Sequence, residues 1–211
     1  SEVAGIVAVN AVAKHLEQHF GGPGILMGGI KGVLPDYVTI IGAGVAGEAS
    51  IKKVLGRGGN LIVLERNPQK MEEIKTKYAT LAKETGATLD VIESTPENIR
   101  KSVLRSVALI GAVLLPGGRA PNLIDEQLML DWAEARPGSV FVDIAIDQGG
   151  IYAHKKLTNH AEPTYRVGDE ENYIQVYALP NMPSAAARTA SEGLGAAVSP
   201  YVLEIAAKGI E

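Results

Sequence analysis

Gly42, Gly44 and Gly47 stand in the run Gly42-Ala43-Gly44-Val45-Ala46-Gly47, directly after the apolar, β-branched stretch VTII (38–41). A strand before and a helix after make this a turn suited to a diphosphate. Gly42 would let the chain turn tightly, Gly44 would let the backbone approach a pyrophosphate, and Gly47 would let the helix pack close to the sheet. The first turn of that helix, with Val45 and Ala46, would present its free N–H groups to the phosphates. Glu65 closes the next apolar run, NLIVLE, 18 residues past Gly47. A carboxylate there accepts hydrogen bonds from ribose hydroxyls and repels a 2′-phosphate, so the expected cofactor is NAD rather than NADP. Arg66 blurs that preference, because an arginine next to the acid can accommodate the phosphate. The competing reading is an ordinary tight turn beside a surface glutamate; strand, helix and acid in the right order weigh against it.

Two more loops follow strand-like runs, where ligands bind in open α/β sheets. One is Leu115-Pro116-Gly117-Gly118-Arg119-Ala120-Pro121 and the other Asp147-Gln148-Gly149-Gly150. Asp147 would sit at the lip of a strand beside a flexible glycine pair. Spacing alone leaves it evenly open between a turn-forming aspartate and a functional one. Asp143 lies inside an apolar run and reads as structural, bonding loop backbone. In Leu179-Pro180-Asn181-Met182-Pro183 two prolines would fix the Asn181 amide, although a plain strand-to-helix connection is slightly favoured on the residues alone. His15, His19, His154 and His160 lack metal-ligand spacing, so no metal site is expected, and His15 and His19 read as a solvated helix face. No GxSxG nucleophile elbow occurs. The mixed charges over 65–84 read as a solvated face as well.

The elements that must position these residues alternate. Helical patterns are predicted over 1–20 (Ser1 as cap; Val3, Ile6, Val7 and Leu16 as the apolar face), 45–57, 67–85, from Thr95-Pro96 onward, 123–135 and 184–208. Strands are predicted over 38–42, 60–65, 88–92, 107–113, 139–146 and 174–179, with a short β segment at 165–167. Asn67-Pro68 reads as an N-cap followed by proline at the first helical position. Alternation of this kind predicts an α/β fold, a Rossmann-type doubly wound, mostly parallel sheet covered on both faces. The long terminal helices 1–20 and 184–208 lie outside the alternation and read as connectors, or as an oligomer surface, flanking a single cofactor-binding domain over 1–211.

Bulk composition excludes other classes. The 211 residues suffice for one well-buried domain. Net charge is −4 with no basic block, so a nucleic-acid partner is not expected. The absence of cysteine removes disulfide and thiolate chemistry and fits a reducing, cytoplasmic setting. No run of about 18 apolar residues is present, so no membrane span is expected. The start lacks both a signal-peptide pattern and an initiator methionine, and reads as trimmed.

Taken together and in order, SEVAG, ILMGGIKGV, GAGVAG, GAVLLPGGRAP, VDIAIDQGG and PNMP resemble the alanine dehydrogenase family over nearly the whole chain. The related transhydrogenase nucleotide-binding subunit is less similar at DQGG and NMP. The resemblance implies NAD as cofactor, and it implies roles position by position. Ser1 matches a serine near the cofactor, Gly42, Gly44 and Gly47 the pyrophosphate turn, and Glu65 the ribose acid. Lys70 and Ser94 match adenosine-side contacts, and Val113 and Leu114 the strand end under the nicotinamide ribose. Ile144, Asp147, Asn181 and Met182 match residues around the nicotinamide, with Asp147 at the aspartate implicated in catalysis. The implied reaction is the reversible conversion of L-alanine, NAD and water to pyruvate, ammonia and NADH. Two positions depart from the family: Glu65 stands where Asp is usual, and Ala187 where proline is common.

The family's substrate lobe, which supplies the lysine, histidine and arginine that hold the keto acid, has no counterpart in these 211 residues. The chain is therefore expected to bind NAD(H), to be inactive alone, to take pyruvate or alanine only with such a lobe, and to self-associate as a homo-oligomer through its terminal helices. The alternatives are a stand-alone NAD(H)-binding sensor or subunit, and a related amino-acid dehydrogenase acting on a larger keto acid.

Overall fold

The computed structural model describes residues 1–115, 117–153 and 156–209. Pro116 and His154, both included in the reading above, lie outside the described residues. The chain runs α1 (Glu2–His15), β1 (Tyr37–Ile41), α2 (Val45–Gly56), β2 (Asn60–Glu65), α3 (Pro68–Thr85), β3 (Leu89–Glu93) and α4 (Pro96–Arg105). It continues through β4 (Ala108–Gly111), α5 (Glu126–Ala135), β5 (Val140–Asp143), β6 (Tyr165–Gly168), β7 (Tyr173–Tyr177) and α6 (Ala187–Lys208). Single 3₁₀ turns occupy Gln18–Phe20, Ile144–Gln148 and Met182–Ala186.

The strands form one seven-stranded sheet in the order β3-β2-β1-β4-β5-β7-β6. All neighbours are parallel except β6, which closes the edge antiparallel to β7. Successive strand residues point to opposite faces. Ile40, Val63, Ile110 and Val142 therefore pack in one core with Val9 of α1, Ile51 and Leu55 of α2 and Ile74 of α3. Their neighbours Ile41, Leu64, Leu109 and Phe141 pack in a second core with Val103 of α4 and Trp132 of α5. Burial on both faces is why the strands read as continuous apolar runs. Buried polar groups beside the sheet pair with one another: Thr39 Oγ1 lies 2.8 Å from Ser106 Oγ, and Trp132 Nε1 donates to the Ser106 carbonyl at 2.7 Å. The cap predicted at Asn67 is formed, and Thr95, at the predicted start of the next helix, caps it as well. Asn67 Oδ1 accepts from the Gln69 and Lys70 N–H groups, and Thr95 Oγ1 from that of Asn98.

Several expectations are corrected. The first helix ends at His15, and Ser1 occupies its N-cap without a side-chain bond. Its buried face is Ala4, Gly5, Ala8, Val9, Ala11 and Val12, with Val3, Ile6 and Val7 only partly covered. The reason is close approach to α2. A Cβ on Gly5 would lie 2.1 Å from the Ala46 carbonyl oxygen, and Ser50 Oγ donates to the Gly5 carbonyl at 3.0 Å. Helix α1 thus belongs to the core rather than lying outside it. His15 is buried, not solvated, and burial, helped by the Lys14 charge, holds its imidazole below the ordinary value. Strand β5 stops at Asp143 instead of running to 146, because its buried carboxylate accepts from the Ala145 N–H at 3.0 Å and the Ile151 N–H at 2.8 Å and turns the chain. Helix α5 starts at Glu126, not 123, because Asp125 caps it through the Leu128 N–H at 2.7 Å. The last helix starts at Ala187, after the 3₁₀ turn, and none of its residues is buried. Among the described residues no helix is long and apolar enough to cross a membrane.

Candidate functional site

The chain leaves β1 outward through β2 and β3 and returns to β4 on the other side of β1. Strand order reverses between β1 and β4, which is where an open α/β sheet leaves a crevice at its carboxyl ends. A cleft of about 280 Å³ opens at this point. Gly44, Val45 and Ala46, following β1, form one side. Val113 and Leu114 follow β4, Ile144 and Asp147 follow β5, and Met182 follows β7. Ser1 and Ala4 complete the wall from α1.

The glycine loop divides its work. Gly42 takes a left-handed φ of 92°, and a Cβ there would lie 2.8 Å from the Ala112 carbonyl oxygen. A Cβ on Gly47 would lie 1.9 Å from the Gly42 carbonyl oxygen, so this glycine sets how closely α2 seats on its own entry turn. Both lie beneath the cleft rather than in it. At Gly44 a Cβ would meet no chain atom within 4 Å, and Gly44 is the N-cap of α2 with no side-chain cap bond. The loop therefore offers bare backbone and the uncapped start of a 12-residue helix to the cleft. These features fit a pyrophosphate, whose oxygens would take the N–H groups that the chain leaves uncapped.

Glu65 lies outside the cleft lining but is tied to the same loop. Its Oε2 accepts from the Ala43 N–H at 2.9 Å, and its Oε1 accepts from the N–H groups of Arg66 and Asn67 at 2.7 and 3.0 Å. Two carboxylate oxygens carry about four acceptor sites, so capacity for a ribose hydroxyl remains. Ser94 adjoins it, its N–H donating to the Glu65 carbonyl at 3.0 Å. The Arg66 side chain is exposed beside them. Lys70 is placed elsewhere. Its ammonium sits 3.2 Å from Glu48 of α2 and 3.4 Å from Glu73. Lys77 also pairs with Glu48, and the Tyr78 hydroxyl donates to it at 3.2 Å. Burial pushes the Glu48 carboxyl up, but Lys77 and Lys70 outweigh that and hold it below the ordinary carboxylate value. Burial and the Glu48 charge push Tyr78 up to about 12.

At the opposite side, Asp147 projects from the 3₁₀ turn after β5 and is exposed. Its two oxygens accept from the Asn181 N–H at 3.2 and 3.4 Å. Asn181 is itself exposed, while Met182 beside it is buried. Sequence reasoning missed Ala4, Ala112, Ala145, Gln148 and Pro183 in the cleft wall. The small residues of α1 were the available signal for Ala4, since they mark a helix packed too closely for large side chains.

Comparison with known proteins agrees with this geometry. Residues 8–211 match the family model described as "Alanine dehydrogenase/PNT, C-terminal domain". An alanine dehydrogenase of Halomonas elongata is 43% identical over 209 residues, covering 99% of this chain and 53% of its own length. Among solved structures, an L-alanine dehydrogenase superposes with a TM-score of 0.86 at 35% identity, over 99% of this chain and 54% of that one. The transhydrogenase from Sinorhizobium meliloti shares the fold, with a TM-score of 0.74 at 21% identity over 100% of this chain and 56% of that one. The chain spans about half the length of the curated relatives it matches. It belongs to the alanine dehydrogenase/PNT C-terminal domain family, as the NAD-binding part of an alanine dehydrogenase-like protein.

Proposed function

We propose that the chain holds NAD(H) across the β1/β4 crevice and forms the cofactor side of an enzyme that interconverts L-alanine and pyruvate. The observation that carries this reading is the bare Gly44 backbone at the start of α2, opening into a cleft at the reversal of strand order. In this reading the pyrophosphate lies on the N–H groups of Val45 and Ala46. Glu65 takes a ribose hydroxyl with its remaining acceptor capacity, and Ser94 flanks the adenosine side. Arg66 is positioned to tolerate a 2′-phosphate, so NAD preference rests on the Glu65 charge. Val113, Leu114, Ile144 and Met182 give the nicotinamide end a largely apolar wall that excludes water. The bound cofactor supplies the hydride acceptor or donor. Among the described residues Asp147 is the charged side chain at this end of the cleft, and its carboxylate orients or accepts a proton borne by the substrate or by water. Ser1 closes the wall from α1. Lys70 takes no part unless it leaves Glu48.

The keto acid is held by a separate substrate lobe, so the isolated chain binds NADH and lacks turnover. The setting is the cytoplasm, and the chain self-associates through α6. Calorimetric titration with NADH, followed by an assay of pyruvate- and ammonia-dependent NADH oxidation, tests this. Absence of NADH binding would overturn the cofactor reading. Robust oxidation by the chain alone would overturn the need for a lobe.

A further inference from the structure

Asn181 is the one non-glycine residue with a positive φ among the described residues, at φ 51° and ψ 47°. Asparagine tolerates the left-handed region better than most residues, yet the conformation persists only where the surroundings impose it. Two neighbours do so. Met182 is buried in the core that α1 shares with the sheet. The Asn181 N–H, turned by this backbone, donates to both oxygens of Asp147. A simple connection from β7 to α6 has no need of a left-handed residue. A residue that must aim its N–H at a carboxylate on the neighbouring turn does.

The turn that carries Asp147 is fixed independently. Asp143 holds its start through the Ala145 N–H and its exit through the Ile151 N–H. Gly149, at φ 93°, lets the Arg119 side chain lie against the turn, since a Cβ there would fall 2.7 Å from Arg119 Nε. The backbone under Asp147 is thus fixed from below, while its exposed side chain has rotamer freedom of its own. The Asn181 N–H is the group that removes it, through a hydrogen bond to a charged acceptor.

We propose that Asn181 is a positioning residue that acts through its backbone: its left-handed conformation aims the N–H that holds the Asp147 carboxylate in one orientation in the cleft. The inference rests on the reading of Asp147 as the working carboxylate of the cofactor site. It assigns the positioning to the peptide N–H and leaves the side-chain amide free for a ligand.

The test is a pH titration of the Asn181 amide by ¹H–¹⁵N NMR on the whole chain. Among the described residues, Asp143 beneath the turn and Arg119 against Gly149 are the charged groups tied to this turn, so Asp147→Asn serves to isolate the Asp147 transition. The expected result is an Asn181 amide proton that shifts with carboxylate ionisation and loses that transition in Asp147→Asn. Asn181→Gly, which enters the left-handed region freely, keeps the transition at position 181. Asn181→Ala weakens it, and Asn181→Val abolishes it in a chain whose remaining amide spectrum is unchanged. A wild-type amide that ignores the titration overturns the proposal, as does loss of the transition in Asn181→Gly. NADH titration of the same samples separates the two readings: binding without the amide transition sinks the positioning role alone, and the transition without binding sinks the cofactor reading.

Discussion

Replacing Glu65 with alanine should destabilise the folded chain before any cofactor is added. The carboxylate accepts three backbone N–H groups, and they are not equal. Ala43 is 1% exposed, so its N–H has no water to turn to when the carboxylate is removed. An orphaned buried donor costs about 1–3 kcal/mol. Arg66 and Asn67 are exposed, and water replaces the lost acceptor there at little cost. The expected loss is therefore about 1–3 kcal/mol in total, nearly all of it from the Ala43 contact. Glu65→Gln retains one carbonyl oxygen and presents an NH₂ group to the other donors, so it should fall between wild type and alanine. Urea denaturation without nucleotide measures this loss, and calorimetric titration with NADH then measures what the ribose contact adds. A change in stability within about 0.5 kcal/mol for Glu65→Ala, the range of an ordinary surface substitution, would refute the tie between Glu65 and the glycine loop. Lost stability with unchanged NADH affinity would instead assign Glu65 to the loop alone.

Gly47→Ala forces a methyl against the Gly42 carbonyl and should cost about 1–3 kcal/mol of stability, whereas Gly44→Ala should cost less than about 1 kcal/mol. The latter should weaken NADH binding about tenfold, ~1.4 kcal/mol, by filling the space beside the phosphate turn, and wild-type affinity in Gly44→Ala would remove Gly44 from the site. Burial holds His15 below the ordinary imidazole value of 6.5, so its neutral form favours the native state. That contribution is complete above 6.5 and is lost as pH falls through it toward the lowered folded value. The urea midpoint should drop on acidification across this window, with a smaller drop in His15→Gln; equal drops would exclude His15. Leu194, Tyr201 and Val202 are 66, 68 and 55% exposed on α6, so sedimentation should show concentration-dependent association that Leu194→Glu with Val202→Glu abolishes.

What was legible in the sequence was local. The cap at Asn67 and the helix start at Thr95-Pro96 are read within one helical turn, and the glycine loop follows from three residues and the strand before them. Alternating elements gave the parallel sheet because each buried strand is an unbroken apolar run. What was not legible depends on partners distant in the chain. Asp143 bonds loop backbone as its place in the apolar run suggested, but the end of β5 it sets depends on an N–H eight residues on, at Ile151. Lys70 pairs with Glu48 on another helix, which no spacing along α3 reveals. The buried face of α1 carries no amphipathic stripe, because its contact with α2 selects small residues over large apolar ones. The left-handed Asn181 looks like any residue between two prolines until Asp147 is placed beside it.

The seating of α1 on α2 bears on how such a chain can be recombined. Ser1 and Ala4 wall the cleft, while Ala8, Val9 and Val12 lie in the core shared by the first three helices. A chimera spliced at Tyr37, the apparent start of the alternating pattern, would transplant the phosphate turn without one of its walls and would uncover the small-residue face of α2. The transferable cassette begins ahead of α1, and its natural crossover points lie in segments that neither line the cleft nor bury a side chain.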